Sequence, residues 1–151
     1  MEKAPPKTVK ARKPTPSERK ARRAIDWPGG VEWIDDWGTA RQRSAETGRP
    51  ICLVVYADWC PRCKELAPLF AEADLVEASK GLIMVRQDND ARPAWLQQYA
   101  DQGSYVPRIF FFGKDGNLRT DITSGHPRYP FFYSSRQKKA LVKSMKTATG
   151  A

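Results

Sequence analysis

The sequence predicts an α/β fold in which a central mixed β-sheet is flanked by helices on both faces. An apolar run at residues 51–56 precedes a helical pattern from Pro61 and a second apolar run at 82–85. Strand, helix and strand in this order indicate a right-handed parallel crossover. A third run at 108–112 leads into an Asp-Gly turn, which is typical of an antiparallel hairpin. Parallel and antiparallel pairs together make the predicted sheet mixed.

Two elements are predicted before the crossover helix. A helix is expected over residues 31–47, where apolar side chains recur at helical offsets before the stop at 48–50. Its buried face is expected to carry two tryptophans, together with other apolar residues: Trp33, Ile34, Trp37 and Ala40. The run at 51–56 is continuous and β-branched, as in a strand buried on both faces.

The later elements follow from similar patterns. Pro61 suits the first position of the next helix, and Pro68 in its interior should kink that helix about one turn later. A short helix is expected at residues 93–100. The predicted hairpin pairs 108–112 with a second strand at 118–122, and a final helix covers 134–146. The buried face of that final helix is expected to contain Leu141, Val142 and Met145.

The length of 151 residues fits one domain with tails. Residues 1–24 combine four prolines with nine Lys or Arg and almost no large apolar side chain, so they are expected to form a disordered basic arm. The domain is predicted to span 25–147, with 148–151 as a short tail. The longest apolar run has seven residues, against roughly 20 for a membrane span. No signal peptide is expected in the sequence shown.

The positive charge is concentrated at the two ends of the chain. The net charge is +9, but residues 25–135 hold twelve basic and fifteen acidic residues. Polyanion binding through the arm therefore remains an alternative, although the arm has no aromatic side chain for base stacking. A solvated linker explains the same composition, and nucleic acid is not the expected partner.

One motif points to specific chemistry: Cys60-Pro61-Arg62-Cys63, at the junction of a strand and a helix. Two thiols in a first helical turn can close and reopen a disulfide with little backbone movement. The helix N-terminus favours the thiolate of Cys60, which makes it the attacking sulfur, and Cys63 then resolves the mixed disulfide. This chemistry requires the two sulfurs to be close together and open to approach by another protein.

Three other interpretations of the pair stay open. In the first, the pair forms half of a zinc site. Zinc needs four ligands, however, and only Cys52 and His126 remain, neither of them in a matching motif. In the second, the pair forms a static structural disulfide, and in the third the two cysteines are inert thiols. A redox dithiol beside a βαβ pattern is favoured, with no metal and no cofactor. Cys52 is expected to be a core thiol, and His126 a turn residue without function.

The motif at 59–64, Pro68 and Val106-Pro107 together resemble the thioredoxin superfamily. Tyr105 to Ile109, Asp121 to Thr123 and Tyr129 to Tyr133 resemble one group in particular. These are the small single-domain thioredoxin-like proteins of the endoplasmic reticulum that include the anterior gradient proteins. The resemblance covers about residues 25–146 and implies a thioredoxin-like fold.

The resemblance implies a role for each matching residue. Cys60 would be the nucleophile, Cys63 the resolving thiol, and Pro107 a cis-proline that places the Val106 backbone beside the thiols. The sequence also departs from the family. Val54 stands where thioredoxin has a buried acid, and both cysteines are present where anterior gradient proteins keep one. The group's retention tetrapeptide is not found at the end of this sequence.

Neighbouring residues are expected to tune the site and to contact clients. Arg62 and Lys64 should lower the pKa of Cys60 below the free value of about 8.5. Trp59 and Tyr105 flank the site and are candidates for an apolar lip, although aromatic residues are also common in cores.

The predicted function is thiol–disulfide exchange with protein substrates, in protein folding and cell redox homeostasis. The electron partner is expected to be glutathione or another dithiol protein. The alternative is a client-binding or signalling protein for which the dithiol is incidental. The resemblance places the protein in the lumen of the endoplasmic reticulum or outside the cell, with the cytoplasm as the alternative.

Overall fold

The structure is a computed structural model that describes residues 24–150 together with Lys13, Thr15 and Pro16. Most of the predicted basic arm, residues 1–24, lies outside the described residues. Among the described residues, no helix combines the length and the apolar character needed to cross a membrane.

A four-stranded mixed sheet forms the centre of the fold, as the sequence predicted. The strands in chain order are β1 (Trp33–Ile34), β2 (Ile51–Tyr56), β3 (Ile83–Asp88) and β4 (Arg108–Phe112). Their order in the sheet is β1-β3-β2-β4. Strand β2 pairs parallel with β3 and antiparallel with β4, and the edge strand β1 pairs parallel with β3.

Within the described residues, five α-helices surround this sheet. They are α1 (Trp37–Thr47), α2 (Pro61–Leu66), α3 (Ala73–Ser79), α4 (Ala94–Gln97) and α5 (Lys138–Thr149). Helix α2 is short because Pro68, which cannot donate a helical hydrogen bond, follows it, and the chain continues as a 3-10 helix at Ala67–Ala71. The α-helix thus ends before Pro68, instead of continuing through it with the predicted kink.

The alternation of side chains along β2 builds a core on each face of the sheet. Cys52 and Val54 pack with residues of α2, α3 and α5. Ile51, Leu53 and Val55 pack on the other face with residues of α1 and α4. All five side chains are essentially fully buried, which explains why the strand reads as one continuous apolar run.

The predicted helix over 31–47 is wrong at its N-terminal end. Trp33 belongs to the two-residue strand β1, and the helix starts only at Trp37. Asp36 caps this helix, since its Oδ2 accepts the N–H of Thr39 at 2.8 Å. Trp33 lies four residues before Trp37, which is also the spacing of side chains on one face of a helix. The strand residue therefore looked like part of the helix in the sequence.

The second strand of the predicted hairpin, residues 118–122, is also not formed. Only an isolated bridge joins Phe112 to Leu118, supported by the N–H of Gly113 donating to Asn117 O at 2.9 Å. The Asp-Gly turn therefore exists, but the chain leaves the sheet directly after it. Strand β4 instead pairs along its length with β2.

Two predicted helices have shifted bounds. The short helix expected at 93–100 covers only Ala94–Gln97. The final helix starts at Lys138 rather than at 134 and extends to Thr149, beyond the predicted end at 146. Its buried face includes the three predicted residues and also Ala148, which lies in the segment expected to be a tail.

Candidate active site

The Cys-Pro-Arg-Cys motif lies where strand β2 passes into helix α2. The N–H of Cys60 donates to the carbonyl of Ala57 at 3.1 Å, which fixes the turn between them. Cys60 is the N-cap of α2, and Pro61 is its first helical residue, as predicted. The motif thus stands at the carboxyl end of a buried central strand, on a short and well-defined turn.

The two cysteine sulfurs share a closely packed environment. The N–H of Cys63 donates to Cys60 Sγ at 3.2 Å, and the Cys60 thiol donates to the carbonyl oxygen of Val106 at 3.7 Å. Both cysteines are free thiols. The expectation of an open site is wrong for this state, because only 3% of Cys60 and 1% of Cys63 is exposed.

Hydrogen bonding separates the acidities of the two thiols. The Cys63 side chain donates to the Cys60 sulfur, and this is the main reason that the pKa of Cys60 falls to about 6, with burial opposing the fall. The backbone N–H groups of Cys63 and Arg62 lower it further. The same side-chain hydrogen bond, followed by burial, raises the pKa of Cys63. The arrangement favours a Cys60 thiolate beside a protonated Cys63.

The pKa of Cys60 is shifted in the expected direction, and Arg62 is the smallest of the named causes. The charge of Arg62 lowers the pKa of Cys60 less than the contacts with Cys63 do. Arg62 is exposed and its Nη1 donates to Glu65 Oε1 at 2.7 Å, so its charge is partly neutralised. Lys64 contacts the site through its backbone, since its N–H donates to the carbonyl of Cys60 at 3.1 Å.

The loop before β4 supplies the other side of the site. The peptide bond between Val106 and Pro107 is cis, as the resemblance implied, and Val106 packs against the two cysteines. Arg108, the next residue, is a buried cation that donates to the carbonyl of Tyr105 and, at 3.1 Å, to Asn89 Oδ1. The loop is therefore held from behind by a guanidinium group.

The two aromatic residues proposed as a lip have different surroundings. Trp59 is half exposed next to Cys60, and its Nε1 donates to Asp90 Oδ2 at 2.7 Å. Tyr105 instead packs edge-on against Tyr129, and its hydroxyl accepts the N–H of Phe131 at 3.0 Å. Trp59 thus presents an exposed apolar surface beside Cys60, whereas Tyr105 helps to fix the loop.

The remaining candidate residues lie apart from this chemistry. Cys52 is fully buried in the core, as predicted, and burial raises the pKa of its thiol. His126 organises its turn, because its Nδ1 accepts the N–H groups of Arg128 and Tyr129. Val54 is fully buried among apolar neighbours. Within the described part of the chain, no three His, Cys, Asp or Glu side chains cluster as metal ligands would.

Sequence reasoning missed two contributors to the site. Ile25 packs against the cluster formed by Ala57, Cys60 and Cys63, although it lies far upstream in the chain. Arg108 was assigned to a strand without a role in the site. A charged residue opening the otherwise apolar run at 108–112 is a signal that points to Arg108, whereas nothing local points to Ile25.

Comparison with known proteins agrees with this architecture. A family profile described as "Thioredoxin-like" matches residues 32–114. The chain is 28% identical over 126 residues to anterior gradient protein 2 homolog of Mus musculus, covering 81% of this chain and 69% of the relative. It is 23% identical over 124 residues to anterior gradient protein 3 of Xenopus tropicalis, covering 81% and 74%.

A solved structure shows the same fold. The crystal structure of a poplar thioredoxin h mutant matches with a TM-score of 0.60 at 18% identity, over 87% of this chain and 92% of that one. The matched profile spans more than half of the chain and includes β2, the Cys-Pro-Arg-Cys motif, the cis-proline and β4. On these grounds the protein belongs to the thioredoxin-like family, with similarity to its anterior gradient proteins.

Proposed function

We propose that the protein is a thiol–disulfide oxidoreductase that exchanges disulfides with protein substrates through Cys60 and Cys63. The observation that carries the proposal is the paired environment of the two sulfurs. Cys60 receives hydrogen bonds from both the side chain and the N–H of Cys63, and its pKa is about 6. At neutral pH the attacking sulfur is then a thiolate, the reactive form in exchange.

The reaction in the reducing direction has two steps. The Cys60 thiolate attacks one sulfur of a substrate disulfide, forming a mixed disulfide and releasing the other substrate sulfur as a thiolate, which takes up a proton. Cys63 then loses its proton and attacks the Cys60 sulfur, which releases the second substrate thiol. Two electrons pass from the dithiol to the substrate, and the Cys60–Cys63 disulfide remains. Oxidation of a substrate dithiol is the reverse.

The hydrogen bond between the thiols also keeps Cys63 protonated until the mixed disulfide has formed. Its acceptor is the Cys60 sulfur, and it is the main cause of the raised pKa of Cys63. When Cys60 enters a mixed disulfide it is no longer an anion, so that cause is removed and Cys63 becomes easier to ionise. Val54 cannot accept this proton as a buried carboxylate would, so we expect resolution by Cys63 to be the slower step.

The surroundings of Cys60 favour a polypeptide substrate. Trp59 presents an exposed aromatic surface beside it, and Val106 sits in a loop whose backbone is held by Arg108 and Tyr105. An extended client segment pairing with the Val106 backbone would bring its own sulfur toward Cys60. Glutathione or another dithiol protein is the proposed electron partner.

The setting is proposed from the relatives. The similarity to anterior gradient proteins supports the endoplasmic reticulum lumen or the secretory pathway as the place where this exchange occurs. Client binding without disulfide exchange is the alternative outcome.

An insulin-reduction assay tests the proposal. We expect Cys60→Ser to abolish turnover, because no sulfur is left to attack, while the matched variant Cys52→Ser keeps it, since Cys52 is buried in the core away from the site. Oxidative refolding of a reduced protein should show the same pattern.

Two results would contradict the proposal. Turnover by Cys60→Ser would place the reaction elsewhere. Binding of an unfolded client that persists when both cysteines of the motif are serine, without turnover by the natural chain, would favour the non-enzymatic alternative.

A further inference from the structure

A segment upstream of the sheet packs against the cluster that contains the two thiols. Ile25 is a half-buried side chain that packs against Ala57, Cys60 and Cys63. Its backbone N–H donates to Asp58 Oδ1 at 3.0 Å, across 33 positions of sequence. The side chain and this hydrogen bond lay the segment against the turn that carries the motif.

The same segment is firmly attached at Trp27, two residues after Ile25. The ring of Trp27 makes edge-on contacts with Trp33 and Tyr56 at 5.3 and 5.2 Å between ring centroids. The guanidinium of Arg86 lies over that ring at 5.5 Å. Such an aromatic cluster with a cation on its face holds Trp27 strongly, whereas Ile25 is held by a half-buried aliphatic group and its N–H. Ile25 is therefore held by fewer contacts than Trp27.

Exchange with a protein requires some part of the site to move. A disulfide sulfur must reach Cys60 Sγ in van der Waals contact, yet only 3% of Cys60 is exposed. Tyr56 and Ala57 are fixed by strand β2 and the turn after it, and the Val106 loop is held by Arg108. Ile25, by contrast, is held by one half-buried aliphatic side chain and one backbone hydrogen bond.

We infer that Ile25 is a specificity-determining residue of the dithiol site, which restricts access to Cys60 until residues 24–26 move away. A bulky reactant must displace Ile25, whereas a small one needs a lesser opening. The effect of Ile25 on protein clients rests on the proposed function. The packing of Ile25 against the cluster that contains Cys60 does not. An apolar client side chain beside the reacting cysteine is the natural replacement for Ile25, because it restores the contacts that Ile25 gives up.

Labelling of the reduced full-length protein tests this inference. The rate of Cys60 modification is measured by peptide mass spectrometry with a small reagent, iodoacetamide, and with a bulky one, a maleimide on a polyethylene glycol chain. We expect Ile25→Ala to raise the bulky rate about tenfold, since truncating a half-buried isoleucine removes about 1.4 kcal/mol of contact energy, and the small rate by less. Ile25→Val should fall between.

A matched control and an internal reporter exclude general loosening. Ile34→Ala truncates another half-buried isoleucine, which packs on the other core, and it should leave both rates unchanged. Cys52 is fully buried, so its labelling in the same samples reports unfolding.

Three results would overturn the inference. They are an unchanged bulky rate in Ile25→Ala, an equal rise for both reagents, and a rise at Cys52 in parallel with Cys60. Failure of the proposed function appears separately, as normal labelling of a protein that does not reduce insulin.

Discussion

The acidity of Cys60 is decided by the residue three positions later rather than by the charged residues of the motif. Cys63 supplies two hydrogen bonds to the Cys60 sulfur, one from its side chain and one from its N–H. Both are short-range and lie in a water-poor environment, where such contacts are strong. The guanidinium of Arg62 points to Glu65 and stays in solvent, where its field is screened.

The pH dependence of Cys60 alkylation separates these two causes. In the natural chain the rate should rise to half its maximum near pH 6, because the reactive thiolate is present above the pKa and lost below it. Cys63→Ala should move this midpoint upward toward the ordinary thiol value, since the main stabilising contact is removed.

Arg62→Gln is the matched variant for that measurement, because it removes the charge and keeps Cys63. Its midpoint should shift upward by less than that of Cys63→Ala. A larger shift for Arg62→Gln would show that the charge, rather than the hydrogen bond, controls the thiolate.

Site residues were predictable from the sequence where the chemistry is local. The spacing of Cys60 and Cys63 at a strand–helix junction predicts two adjacent thiols without any knowledge of the tertiary fold. The cis bond before Pro107 was accessible only through family resemblance, because the bare sequence there also fits the start of a strand. Ile25 reaches the site through a contact that no periodicity records.

At the scale of secondary structure, the errors lie where an element depends on pairing with a distant one. Strand β1 consists of two residues, and it is a strand because it pairs with Met84 and Val85 of β3. Residues 118–122 carry strand-like side chains but find only one bridging partner. The buried strands β2, β3 and β4 were predicted because each must be apolar along most of its length.

Strand β4 begins with the side chain that holds the cis-proline loop. Only 3% of Arg108 is exposed. Its guanidinium donates to a backbone carbonyl and to an amide oxygen rather than to a carboxylate. Burial without a counter-ion lowers its pKa. Arginine suits this buried position because its planar, forked guanidinium group can donate to both acceptors at once.

Arg108→Lys should therefore destabilise the protein by about 2 kcal/mol, because an ammonium cannot span both acceptors in the same geometry. Urea unfolding measures the loss. The control is Arg119→Lys at a more exposed arginine that pairs with Asp121, where a change of about 0.5 kcal/mol or less is expected. Equal losses for the two variants would contradict a bracing role for Arg108.

For the whole molecule, the charge pattern and the family together frame the question of partners. The positive charges predominate at the ends of the sequence, while residues 25–135 carry an excess of acidic groups. The overall basicity therefore says little about the surface around Cys60. Fold class followed from composition and element order, whereas the identity of clients does not follow from either.

Trapping with Cys63→Ala in intact cells tests the proposed partners and setting together. Without the resolving thiol, Cys60 should remain in mixed disulfides with its substrates, which can be isolated and identified. We expect proteins of the secretory pathway among them. The double variant Cys60→Ser with Cys63→Ala is the control and should capture none.

The alternative outcomes of trapping have distinct meanings. Cytosolic proteins alone would contradict the proposed setting and leave the dithiol chemistry in place. Adducts that are equally abundant in the double variant would contradict attack by Cys60.

Both borders of the sheet are poor templates for adding a further chain. At one border, β1 is only two residues long. At the other, β4 already uses its outward backbone groups, since Ile109 N–H donates to Phe131 O at 2.8 Å and Phe111 O accepts from Arg119 N–H at 2.7 Å. Edge-to-edge association, the usual route by which sheets aggregate, is therefore disfavoured. Under the proposed function, unfolded clients would meet the cis-proline loop without being recruited into the sheet.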